Sequence, residues 1–207
     1  MEDLGLDPKL VDKSLDFKKV NDNKKKLYAA LDLGTNSCRM LIARPTGSRF
    51  EIVDAFSKSI RLGLDLERTG ELSQAGISRA LQALHVCAKK INKFGVRNSR
   101  LVATEACRRS KNGKSFLSKV KKETGLTLEL IKPEEEARLA VISCAPLFDP
   151  NFSHVLIVDI GGGSTELVWM DLSEVPKEKR IAEMLKLQLG FKNKNYSKFE
   201  NSKKDHI

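Results

Sequence analysis

With 207 residues, 41% of them hydrophobic, the chain has room for one ordinary domain or two small ones and is too apolar to be disordered. Its 37 basic residues outnumber 27 acidic ones, giving a formal net charge of +10 that favours anionic partners such as phosphorylated substrates, nucleic acid or acidic lipid. One tryptophan and two tyrosines are too few to interleave a basic face with base-stacking rings, so no specific nucleic acid is expected as a partner. Cys38, Cys87, Cys107 and Cys144 form no CxxC pair and sit among apolar or small residues, the context of buried, reduced thiols in a cytoplasmic protein. The first residues lack the apolar stretch of a secretory leader, and no apolar run reaches the about 20 residues of a membrane span, so no membrane partner is expected.

In chain order, residues 1–26 read as a polar, solvated arm with one short amphipathic turn at 10–17. The pattern then changes to an apolar strand at 27–33 (LYAALDL) that stops at Gly34, followed by strands at 38–43 and 50–56 around a Pro45-Thr46-Gly47 turn. Ser73 is placed to cap a helix over 73–94, because Ile77, Leu81, Leu84, Ala88 and Ile91 recur at helical spacing; Gly95 ends it, and His85 is expected to lie partly buried on it. A strand at 100–104, a helix at 114–124 stopped by Gly125 and a strand at 126–131 follow. Pro133 opens a helix to about 144 whose first turn carries Glu134, Glu135 and Glu136, where carboxylates oppose the helix dipole favourably. A loop at 146–153 closes a first lobe of 27–150. Residues 151–207 form a second unit: strands at 154–160 (HVLIVDI) and 165–170, then a lysine-rich stretch in which only 181–189 keeps helical apolar spacing.

Two segments far apart share one plan. LDLGTNS at 31–37 and VDIGGGSTE at 158–166 each run from a buried strand through Asp, an apolar residue and Gly into small hydroxyl residues and a second strand. Gly34, Gly161, Gly162 and Gly163 let backbone N–H groups approach an anion closely. Thr35, Asn36, Ser37, Ser164 and Thr165 add side-chain donors. Asp32 and Asp159 would repel a phosphate directly but suit a divalent cation or an attacking water. A Walker A loop is disfavoured, since neither turn carries its lysine and both lead into strands.

YAALDLGTNSCRMLIA, RLGLDL, ATEACRRS, NGKSF, EEEARLAV and VDIGGGSTELV stand in the order and spacing of the exopolyphosphatase / guanosine pentaphosphate phosphatase family, which the chain resembles over about 27–171. The resemblance implies an α/β, actin/sugar-kinase-like (ribonuclease H-like) lobe followed by a second lobe of the same type. It also implies release of terminal orthophosphate from inorganic polyphosphate, with hydrolysis of pppGpp as the alternative. Glu136 matches the catalytic base that activates water, and Asp159 the metal- or water-holding aspartate. Arg108 matches the phosphate-contacting arginine, with its neighbour Arg109 read as a surface charge. Arg61 matches a basic position near the cleft, or is a solvated loop arginine. Glu166 matches a further acidic position with a metal or water role, or is an exposed strand carboxylate. Mg²⁺ or another divalent cation is the implied cofactor, held by Asp32, Asp159 and Glu166, and a homodimer is left open. The sequence departs from the family in two places. Lys132-Pro133 stands where Ser-Gly is usual. The family's second lobe continues beyond this chain's end, with Leu187-Gln188-Leu189-Gly190 as a trace of one of its turns, so the second lobe reads as incomplete and a truncated, non-catalytic polyphosphate-binding fragment is a further alternative.

Overall fold

The computed structural model describes residues 26–47 and 49–186, together with the backbone of 196–200. The arm up to residue 25, its amphipathic turn, the turn trace at 187–190 and most of the lysine-rich tail lie outside the described residues. Those described form two compact units, one of 26–136 with 160–164, the other of 137–159 with 165–186 and 196–200.

The first unit is built on strands β1 (Tyr28–Leu33), β2 (Ser37–Thr46), β3 (Arg49–Ser59), β4 (Asn98–Ala103) and β5 (Glu129–Leu130), in the sheet order β3-β2-β1-β4-β5. β1 pairs antiparallel with β2 and parallel with β4. β2 and β3 form a long antiparallel hairpin whose register shifts between Ile42 and Ala43. Three meandering strands followed by two parallel ones make the ribonuclease H-like lobe. Strand alternation decides which face is covered: Ala29, Leu31 and Leu33 of β1 are buried, as are Cys38, Met40 and Ile42 of β2. The cover comes from α2 (Gln74–Lys93) and α4 (Gly113–Thr124), which pack on each other. Every apolar residue of the α2 stripe, from Ile77 to Ile91, is buried, and Phe116 and Val120 join them from α4. A buried Leu side chain contributes roughly 1.5–3 kcal/mol, so this two-layer core stabilises the unit that carries the glycine turns.

Ser73 caps α2 as the sequence indicates, its hydroxyl accepting from the Gly76 N–H at 3.2 Å. Gly125, at φ 75°, closes α4 with its N–H on the Lys121 carbonyl. His85 is exposed rather than half-buried: it sits about 100° around the helix from Leu84, just off the buried arc. Only Glu129 and Leu130 of the strand expected at 126–131 stand in strand register with β4, with the Ile131 N–H also donating to the Ala103 carbonyl at 3.2 Å, although Leu126, Leu128 and Ile131 are buried around them. Two short helices, α1 (Leu66–Thr69) and α3 (Glu105–Arg109), carry too few residues to show a period in sequence.

α5 (Pro133–Cys144) contributes its first turn to this unit and its remainder to the second. The second unit has the sheet order β6-β7-β8, from His154–Ile160, Thr165–Asp171 and Tyr196–Glu200, with β7 and β8 antiparallel. Its core joins Ala137 and Val141 of α5, Ile157, Val168 and Met170 of the strands and Met184 of α6 (Lys177–Lys186). The Arg180 guanidinium donates to the carbonyls of Leu172, Val175, Pro150 and Phe152, so one side chain satisfies four loop acceptors. Among the described residues no helix is long and apolar enough to cross a membrane.

Candidate active site

The repeated glycine-hydroxyl plan appears as repeated geometry. In the first turn the Gly34 N–H donates to the Ser37 carbonyl at 2.9 Å; in the second the Gly161 N–H donates to the Ser164 carbonyl, also at 2.9 Å. Each bond closes a four-residue turn and leaves two residues at its tip, Thr35-Asn36 and Gly162-Gly163. The tips meet. A Cβ on Gly162 would lie 2.5 Å from Asn36 Nδ2, and one on Gly163 would lie 2.9 Å from Thr35 Oγ1. Both are closer than settled side chains tolerate, so a residue larger than glycine at either tip would displace the side chain facing it.

The tips form part of a cleft of about 680 Å³ whose other walls are Ser59, Arg61, Gly63 to Arg68, Glu105 and Arg109. The segment after β3 is tied to the first turn by its backbone. The Asn36 carbonyl accepts from the N–H groups of Ile60 (2.8 Å) and Arg61 (3.0 Å), and the Thr35 carbonyl accepts from Gly63 (3.0 Å). A Cβ on Gly63 would overlap the Thr35 methyl group. Arg61 and Asp65 both hold positive φ, 46° and 68°, a left-handed conformation that costs a non-glycine residue on the order of 1–2 kcal/mol. Such strain gathers where surrounding structure over-determines the backbone, often at functional sites.

Behind the cleft, Arg108 joins two acids. Its Nη1 donates to Glu136 Oε2 at 2.7 Å and to the Ile131 carbonyl at 2.9 Å, while Nη2 and Nε reach Glu105 Oε2 at 2.8 and 3.2 Å. The three side chains are 13%, 20% and 18% exposed, so this is a largely dry array in which charge-assisted bonds are strong. Burial opposes the charge on Arg108, yet its bonds to Glu136 and Glu105 outweigh that cost and raise its pKa above the ordinary guanidinium value. Arg100 does the matching work from β4, pairing with Glu129 and, at 2.7 Å, with Glu135. Two of the three glutamates of the α5 first turn are thus held by arginines, one on β4 and one on α3. The helix start is fixed despite the Lys132-Pro133 departure.

Of the residues singled out in sequence, Thr35, Asn36, Arg61, Gly162 and Gly163 line one cleft. Gly34, Ser37, Gly161 and Ser164 close the two turns behind it. Arg108 and Glu136 lie one layer back, linked to the cleft wall through Glu105. Thr165 begins β7, and Glu166 is buried in that strand at 4% exposure. Asp159 is exposed near the end of β6. Asp32 is exposed at the end of β1, with Oδ2 3.8 Å from where a Gly34 Cβ would stand. Among the described residues no three His, Cys, Asp or Glu side chains gather as a metal cage. Exposed single carboxylates beside a phosphate-sized turn instead suit a hard cation that keeps waters and shares substrate oxygens.

The cleft also contains residues that sequence reasoning passed over. Arg109, taken for a surface charge, lines it at 46% side-chain exposure and pairs with Glu105 at 3.7 Å. Arg68, Asp65, Glu67 and Glu105 line it as well. The spacing of Glu105, Arg108 and Arg109 at i, i+3 and i+4 was the available signal, since such residues share one face of a helical turn. The cysteines stand apart from this chemistry. Cys38, Cys87 and Cys107 are buried and Cys144 is half-buried. Burial pushes the Cys107 thiol up to about 12, and the hydrogen bond to Cys87, with burial, pushes Cys38 up.

Sheet order, paired turns and cleft together define an α/β lobe of the ribonuclease H-like, actin/sugar-kinase class. A model of the Ppx/GppA phosphatase family matches residues 41–193, and the chain belongs to that family. The solved structure of an Aquifex aeolicus family member is similar at 37% identity and a TM-score of 0.63, over 71% of this chain and 48% of that one. An exopolyphosphatase-like protein matches at 31% identity and a TM-score of 0.66, over 74% of this chain and 47% of that one. An exopolyphosphatase from Cytophaga hutchinsonii shares the fold at 22% identity and a TM-score of 0.68, over 84% and 50% of the two chains. The chain spans about half the length of the solved structures it matches.

Proposed function

We propose that the chain is a phosphohydrolase of the exopolyphosphatase type, releasing terminal orthophosphate from inorganic polyphosphate. The observation that carries this reading is the meeting of two glycine-hydroxyl turns, tip to tip, in a cleft walled by Arg61, Arg68 and Arg109. Backbone N–H groups of the tips and the hydroxyl of Thr35 are donors of the kind that hold phosphoryl oxygens. The net charge of +10 favours a long polyanion, and nothing in the cleft selects a guanine, which sets polyphosphate ahead of pppGpp.

In this reading Glu136 accepts a proton from water as the water oxygen bonds to the terminal phosphorus. The bridging P–O bond breaks, and its electron pair leaves with the shortened chain. Arg108 holds the Glu136 carboxylate in place and Glu105 holds Arg108, so the base is oriented by a chain of charged bonds. A divalent cation such as Mg²⁺, held by Asp32 or Asp159 together with substrate phosphates, would neutralise charge on the phosphoryl oxygens. Positioning and electrostatics supply most of the rate in phosphoryl transfer, and in this reading they are the work of the cleft arginines and of the charged array behind them.

The test is phosphate release from long-chain polyphosphate with Mg²⁺ by the full chain and by Glu136→Gln. Release by the wild type, with a fall of roughly 10²- to 10⁴-fold in the variant, is expected of a lost general base. Equal rates would remove Glu136 from the mechanism. Release from pppGpp alone would overturn the substrate. Binding of polyphosphate with no release by a folded wild type would make the chain a non-catalytic binding fragment.

A further inference from the structure

Arg61 is the one cleft arginine whose backbone is strained, and a second arginine holds that strain. Ile60 and Leu62, on either side of it, are fully buried. With both neighbours anchored in the core and φ at 46°, Arg61 stays exposed and lines the cleft. Three hydrogen-bond acceptors fix this arrangement. The Asn36 carbonyl takes the N–H groups of both Ile60 and Arg61. From α2, Arg79 Nε donates to the Ile60 carbonyl at 2.7 Å, and Nη2 donates to the Arg61 carbonyl at 3.2 Å. The peptide group between Ile60 and Arg61 is thus gripped on its N–H side by the first glycine turn and on its carbonyl side by Arg79, and the same guanidinium holds the Arg61 carbonyl that follows.

We infer that Arg79 is a positioning residue for anion binding: it touches no substrate, but holds Arg61 in the left-handed conformation that places its guanidinium in the phosphate cleft. Helix α2 is the rigid element behind this. It is packed along its length on the core, so its Arg79 presents donors at a fixed distance from the 60–62 backbone. Without Arg79, two carbonyls lose a charged donor; the Ile60 carbonyl loses its guanidinium partner and the Arg61 carbonyl keeps only the Leu64 N–H at 3.3 Å, so the left-handed residue is less firmly determined. The segment relaxes and Arg61 leaves the cleft. The inference rests on the proposed phosphate-binding function and goes beyond it, because it names a residue outside the cleft that sets affinity for the phosphate chain.

The experiment measures tripolyphosphate binding by calorimetry, and amide hydrogen exchange over residues 60–63, in the full chain and in Arg79→Met, Arg79→Lys, Arg61→Ala and the Arg61→Ala/Arg79→Met double variant. Methionine keeps the aliphatic bulk against the helix and removes the donors. Arg79→Met is expected to bind about tenfold or more weakly, the scale of one lost hydrogen bond to a charged group, and to exchange faster at 60–63. The double variant is expected to bind no more weakly than Arg61→Ala, the non-additivity of residues that act through one another. Lysine, which restores one donor, should recover part of the affinity. Wild-type binding by Arg79→Met, or losses that add in the double variant, would overturn the inference. If Arg79→Met does not fold, the same comparison is made with Arg79→Lys, where an affinity equal to wild type overturns it. A wild-type chain that binds no tripolyphosphate overturns the functional reading. The exchange data then judge the positioning alone, which falls if Arg79→Met exchanges like wild type at 60–63.

Discussion

Arg108→Met separates the structural work of the charged array from its chemical work. The substitution removes four hydrogen bonds at once, to Glu136, Glu105 and the Ile131 carbonyl, and leaves two carboxylates facing a space that methionine fills without charge. Removing one partner from a buried ionic cluster costs about 3–5 kcal/mol, because the remaining charges stay desolvated. With side-chain exposures between 13% and 20%, water reaches this array in part, so about 3 kcal/mol is expected here. For a chain of this size that is a fall in melting temperature of about 6–12 °C. Glu136→Gln, by contrast, keeps a hydrogen-bond acceptor for Arg108, and Glu105 remains, so its cost should be about 1 kcal/mol. Urea unfolding followed by circular dichroism, with matched slopes, gives both values. If Arg108→Met were as stable as the wild type, or no less stable than Glu136→Gln, the array would not be the buried, mutually dependent cluster inferred from its distances.

Two further outcomes follow from other parts of the first unit. Gly162→Ala drives a Cβ against the Asn36 amide. That amide ends a flexible side chain and can swing away, so stability should change by less than about 1 kcal/mol while tripolyphosphate affinity, read by calorimetry, falls as the cleft wall is rebuilt. Unchanged affinity would place the turn tips outside the binding surface. Asp54, which pairs with Lys90 at 2.6 Å between β3 and α2, has its carboxyl held below the ordinary value by that lysine. A folded-state pKa lower than the unfolded one contributes stability in full above the unfolded value and loses it as pH falls through the folded one. The difference in urea midpoint between wild type and Asp54→Asn should therefore be constant near neutrality, begin to shrink at about pH 4 and vanish only as pH falls through the lower folded-state value. A difference that does not shrink at all as pH falls from about 5 to the acid limit of folding would point to packing rather than charge.

Most of the framework was legible in the chain itself. The alternation in LYAALDL and the 3.6-residue stripe from Ile77 to Ile91 each report a local period, and a period survives whatever the element later packs against. The paired glycine-hydroxyl segments announced two equivalent turns for the same reason: glycine and a small hydroxyl residue at fixed offsets dictate backbone geometry locally. The six ordered motifs identified the family, and they singled out Glu136 and Arg108, which the fold brings together at 2.7 Å.

What sequence could not supply depends on residues that meet only after folding. The tips at Thr35-Asn36 and Gly162-Gly163 stand more than a hundred positions apart, and neither indicates that it will press on the other. The i, i+4 spacing of Glu105 and Arg109 indicates that they pair on one helical turn, but that this turn faces the cleft is decided only by where α3 packs. The length of β5 was misjudged because apolar residues such as Leu126 and Leu128 are buried whether or not their backbone finds a ladder partner. His85 fell just off an arc whose width is set by what α2 packs against. The left-handed Arg61 carries no sequence mark, since its φ is imposed by carbonyls on either side of it, from Asn36 to the pair held by Arg79. Sequence by itself determined the elements and the chemistry available. Tertiary structure alone decided which donors share a cleft, because close approach is a property of distance in space.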